Sequence, residues 1–126
     1  MMLLEKIKKI KETYDWIMKL ARIAHRKGLF ALEYEASFIP KDLPLCSHIV
    51  KMIELICDGT EPDFVEEIMT IKFLANNYEG IDAILFFLYT RSMLMIQAGT
   101  PCILLEEMFQ SVVSGTDLVL KEEQDS

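Results

Sequence analysis

The sequence predicts an all-α protein, a compact bundle of about five helices with a long first one. Three observations lead there. Apolar residues recur three and four apart, strict strand alternation appears nowhere, and Gly and Pro fall almost entirely between apolar segments. Pro40, Pro44, Gly59, Pro62, Gly80, Gly99, Pro101 and Gly115 mark the breaks, and Gly28 alone lies inside a segment. The 126 residues are expected to form a single domain, 1–126, long enough to bury a core. Its acidic end, 116–126, is expected to be weakly ordered.

The first segment runs from Met2 to about Ser37. Leu3, Ile7, Ile10, Tyr14, Ile17, Ala21, Ala24 and Gly28 alternate spacings of four and three, the seam of a left-handed helix pairing. Leu3, Ile7, Ile10, Tyr14 and Ile17 are its candidate self-association residues. The seam then shrinks to Ala21, Ala24, Gly28 and Ala31, which would let a neighbouring backbone approach closely. Glycine costs about 1 kcal/mol against alanine inside a helix, so Gly28 implies either such an approach or a break. The seam closes within the chain or across a homodimer, and the spacing fits both.

The next segments are Leu43 to Cys57, Glu61 to Tyr78, Ile81 to Ala98 and Pro101 to Ser114. Ile68, Ile71, Lys72 and Ala75 keep helical spacing in the third, as do Ile81, Ile84, Leu85 and Leu88 in the fourth. Thr60-Glu61-Pro62-Asp63 predicts a helix start with Thr60 as N-cap, Pro62 in the first turn and Asp63 beside unpaired amides. Thr100-Pro101 repeats it, and Gly59 and Gly99 suit the left-handed turns that end the preceding helices. An offset of 40 residues aligns 58–69 with 98–109, matching Gly59, Thr60, Glu66 and Glu67 to Gly99, Thr100, Glu106 and Glu107. A two-copy helical repeat and shared capping chemistry both account for the match.

The most apolar stretch, Ala83 to Leu105, is broken by Arg91 and by Gly99-Thr100-Pro101, so it reads as core and no transmembrane span is expected. Apolar Met1 to Leu4 runs straight into Lys6, Lys8, Lys9 and Lys11, the reverse of a secretion signal. Cys46, Cys57 and Cys102 are odd in number, lie in apolar surroundings and read as buried thiols. The expected location is the cytoplasm.

Thirteen basic against 20 acidic side chains leave a net charge of −7, which disfavours nucleic acid as a partner. The charge is uneven. Residues 1–27 carry +5 and the remainder −12. A basic helix on an acidic body suits docking to an acidic or charged protein, or satisfies its own molecule.

Little else points to chemistry. Cys46-Ser47-His48 lacks the further ligands of a zinc site and the third group of a nucleophilic triad. Glu66-Glu67 and Glu106-Glu107 diverge around their helices and cannot act as dyads. No metal, cofactor or catalytic residue is predicted. The eight Met and seven Phe are core filler or an adaptable groove. A concave pocket between helices, lined with Met and Phe and holding a few convergent polar groups, would be needed for an enzyme or small-ligand binder, and a deep one containing His48 or Arg91 would favour it.

Ala21 to Glu33, Ala-Arg-Ile-Ala-His-Arg-Lys-Gly-Leu-Phe-Ala-Leu-Glu, resembles the segment after the second membrane helix in flagellar stator A subunits. Asp58-Gly59-Thr60-Glu61-Pro62-Asp63 with Phe64 to Met69 resembles that family's Asp-Gly-Thr-Asp-Pro turn and following helix. The resemblance covers about residues 17 to 75, with a longer connection between the motifs here. It implies a helical cytoplasmic domain whose first helix presents charged residues to the rotor's switch protein. By position the acidic contact falls on Glu33 and the basic one near His25 and Arg26, the family's Arg aligning to His25. Without membrane helices beside it, this segment would conduct no ions.

The leading expectation is therefore a non-catalytic interaction module presenting Arg22, His25, Arg26, Lys27, Glu33 and Glu35 to a protein partner. The alternative is a helical structural adaptor, unrelated to motility, that self-associates through Leu3 to Ile17.

Overall fold

The computed structural model describes residues 3–114, and these form six helices and no strand. They are α1 (Leu3–Lys27), α2 (Ala31–Ala36), α3 (Cys46–Cys57), α4 (Pro62–Asn76), α5 (Gly80–Gln97) and α6 (Cys102–Val112). The predicted acidic tail lies outside the described residues. Among those described, no helix is long and apolar enough to cross a membrane.

The sixth helix arises at Gly28. Its φ of +88° is a left-handed conformation that only glycine takes without strain, so the segment breaks there into α1 and the short α2. A side chain at Gly28 would meet nothing within 4 Å. The close backbone approach expected at the small end of the seam is therefore absent at this position, and a turn is the reason for the glycine.

The seam itself closes inside the chain. Ile10, Tyr14, Ile17 and Ala21 are buried, Ile7 is half-buried, and Leu3 is exposed. Tyr14 packs edge-to-face on Phe109 of α6 with ring centroids 5.4 Å apart. Ile10, Tyr14 and Ile17 are thus removed from any surface a second copy could reach, and only Leu3 and part of Ile7 remain.

At the centre lies α5, which touches α1, α3, α4 and α6. Burial on several sides explains why it is apolar nearly all round. Ser92 and Thr90 are buried within it, as are Leu85, Leu88, Tyr89 and Met93. The Tyr89 hydroxyl donates to the Pro44 carbonyl and lies 3.1 Å from Thr13 Oγ1, tying α5 to α1 and to the loop before α3. Burial pushes the Tyr89 phenol up to about 12, so it stays a donor at all ordinary pH.

The two aligned junctions fold alike. Thr60 N–H donates to Leu55 O at 3.0 Å and Thr100 N–H to Met95 O at 2.9 Å, each the long bond that closes a helix end through a left-handed glycine. Burial agrees as well. Val65 and Leu105 are buried, as are Met69 and Phe109, while Phe64 and Leu104 are exposed. The threonines are not N-caps, however. Glu61 and Pro101 occupy those positions, and neither helix has a side-chain cap bond. Thr60 and Thr100 instead offer their carbonyls to other helices.

Those carbonyls belong to a ring that gathers the ends of α1, α3 and α5 at one end of the bundle. His25 Nε2 contacts Thr100 O at 3.1 Å, Gln97 Nε2 donates to Thr60 O at 2.8 Å, and Cys57 Sγ donates to Leu29 O at 3.5 Å. Each helix end thus holds the turn that follows a different helix. Cys46, Cys57 and Cys102 form no disulfide and are half-buried rather than fully buried. Burial raises the pKa of Cys46 and Cys57, with Asp42 and Glu33 respectively adding to it.

Candidate functional site

Two surfaces stand out, the corner where α1 turns into α2 and a groove between α4 and α5. The corner carries the charged residues expected from the sequence. Arg26 and Lys27 are exposed in the last turn of α1, where cations also complement the helix dipole. No described acidic side chain lies within 4.0 Å of either. Glu33 is exposed on α2. Three predicted residues are less available. Arg22 is half-buried, His25 is engaged on Thr100 O, and the half-buried Glu35 faces Lys19 Nζ at 3.9 Å.

Sequence reasoning missed the most distinctive feature of this corner. Phe30, Tyr34 and Phe38, four residues apart, are 77%, 69% and 53% exposed. Tyr34 and Phe38 meet edge-to-face at 5.0 Å, so the two rings pack on one another at the surface. The spacing was available in the sequence. It was hidden because the seam spacing leaves open whether the helix breaks at Gly28, and only the break turns that face outward.

The groove has a volume of about 400 Å³. Met69 and Phe73 of α4 face Ala83, Phe86 and Phe87 of α5, with Thr70 and Thr90 on its walls. Arg91 Nη1 reaches Glu66 Oε1 at 3.2 Å and bridges the helices. Thr90 is 8% exposed, and its Oγ1 has no hydrogen-bond partner. Phe87, in contrast, is 59% exposed. The groove therefore has the Met and Phe lining and the Arg91 expected of a ligand pocket, but it is an open groove rather than a deep pocket and His48 does not line it.

An aromatic cluster backs the groove. Phe86 packs at a tilt against Phe73 at 5.5 Å and Tyr78 at 5.4 Å and meets His48 edge-to-face at 4.8 Å. His48 Nε2 bonds the Tyr78 hydroxyl, and burial, then Lys72, lower the imidazole's pKa. His48 is thus a neutral histidine satisfied within the core. Among the described residues, no three His, Cys, Asp or Glu side chains are placed to hold a metal ion.

No family model, curated protein or solved structure matches the chain.

Proposed function

We propose that the chain is a non-catalytic docking module, resembling the cytoplasmic domain of a flagellar stator subunit, that meets a protein partner through its α1–α2 corner. The observation that carries this reading is the exposed trio Phe30, Tyr34 and Phe38 beside Arg26 and Lys27. Aromatic side chains and arginine dominate the energetics of protein interfaces, and neighbouring exposed rings beside basic residues are the kind of patch that marks an interaction site. The basic pair steers an acidic surface towards the corner, and the rings then bury their area. The resemblance at Ala21 to Glu33 directs the choice of partner to the rotor's switch protein.

Binding of the purified chain to that switch protein, followed by fluorescence anisotropy, tests the proposal. Tyr34→Ser is expected to weaken binding by roughly 30-fold. Arg26→Glu is expected to slow association and to flatten its salt dependence. Absence of saturable binding, or equal affinity for wild type and both variants, contradicts the reading.

The self-associating adaptor keeps one support, the exposed Leu3 and Leu4 at the start of α1. Light scattering separates the two. A monomer at low and high salt favours docking, whereas a salt-resistant dimer lost in Leu3→Asp favours the adaptor.

A further inference from the structure

The α4–α5 groove points to a second binding function, independent of the corner. We infer that it takes a free amphiphile with an apolar body and an anionic head, in the chemical class of a medium-chain fatty-acid carboxylate. Size is the first argument. A volume of about 400 Å³ lies within the range of small-molecule sites, roughly 300–1,000 Å³. From Phe73 to Glu66 the groove follows about 10 Å of helix rise, so its long dimension suits an extended chain.

Lining chemistry is the second. Met69, Phe73 and Phe87 offer polarizable and aromatic surface that moulds to a flexible apolar body. The polar groups gather towards the other end, which gives the site a direction. Arg91 contacts Glu66 through a single Nη1–Oε1 approach, so other guanidinium donors remain for an incoming oxygen. Next to it, the Thr90 hydroxyl is shut away from solvent with no partner. A buried hydroxyl left unmatched is costly, and a ligand oxygen beside Arg91 would relieve it after a rotation about the Thr90 χ1.

Glu66 decides the sign of the test. It is about half exposed, as is Arg91, and a pair so wetted is held weakly. A ligand carboxylate would displace Glu66 from Arg91 and take its place. Removing the Glu66 charge should therefore strengthen binding, while removing the Arg91 charge should weaken it.

Calorimetric titration of the full chain with decanoate, decanol and decylamine tests the inference. Decanoate is expected to bind one to one and more tightly than either analogue. Arg91→Gln should weaken decanoate about tenfold and leave decanol unchanged, while Glu66→Gln should tighten decanoate several-fold. Both side chains are half exposed, so both variants should fold, and matching melting curves would verify it. No saturable binding below the micelle concentration overturns the inference. So does equal affinity for the three head groups, or the same response in both variants. Association with anionic vesicles without binding of free decanoate overturns it too, by making the face a membrane surface. None of these outcomes bears on the corner and its protein partner.

Discussion

Residues 58–69 and 98–109 solve the same local problem in the same way and end in different surroundings. In both, a left-handed glycine closes one helix and the next buries its fourth and eighth residues, Val65 and Met69 in one copy and Leu105 and Phe109 in the other. Phe109 then meets Tyr14, because α1 lies across α5 and α6. Met69 lines an open groove instead. Local sequence sets the turn and the inward face. Whether the neighbouring surface is closed or left for a ligand depends on which distant helix arrives.

The largest effect expected from this comparison is at the closed side. Phe109→Ala should cost about 3–5 kcal/mol, since it empties a fully buried ring site between α1 and α6. The matched Met69→Ala should cost less, about 2 kcal/mol, because side chains bordering the open groove can relax into the space. Urea unfolding of the two variants ranks them, and a costlier Met69→Ala would mean that the groove side is the tighter one.

The turns should respond equally. Gly59→Ala and Gly99→Ala place a side chain at φ of +82° and +74° with nothing within 4 Å, so only backbone strain is added. About 1 kcal/mol is expected at each. Unequal losses in thermal unfolding would show that the turns are alike in shape but not in energetics.

The smallest expected effect belongs to His48 of α3, behind the groove. His48 is held below its ordinary pKa, so the unfolded chain takes up a proton near pH 6.5 that the folded chain refuses. Its contribution to stability is complete above about pH 6.5 and is lost as the pH falls below it. The urea midpoint should drop between about pH 7.5 and pH 5.5, and His48→Gln should reduce the drop. An unchanged slope would place the titration elsewhere.

Much of this architecture was legible in the sequence, and the gaps have physical causes. The helix breaks at Gly59, Gly80 and Gly99 stood out because these glycines lie between apolar-periodic segments, two of them just before a Thr-and-Pro helix start. At Gly28 a break was one of two readings, since the residue falls on the spacing of the seam and only its backbone angle decides for the turn. The interior of α5 could be read as core because burial on several sides leaves it almost without charge. Thr60 and Thr100 looked like N-caps, yet their carbonyls serve Gln97 and His25, residues 37 and 75 positions away. No local pattern encodes such pairings. The charges of the corner were anticipated, but its three exposed rings depended on the break at Gly28. The groove was anticipated only as a composition, since the apposition of Glu66 and Arg91 needs α4 and α5 side by side.

The central claim, that one side of α5 is open to a ligand while its matched side is closed by α1, has a direct test. Methionine methyl groups lie on both sides, Met69 at the groove and Met18 and Met108 on α1 and α6. With methyl-labelled methionine, titration with decanoate should move the Met69 signal and leave Met18 and Met108 in place. Uniform shifts at all three, or a response confined to Met18 and Met108, would contradict the account.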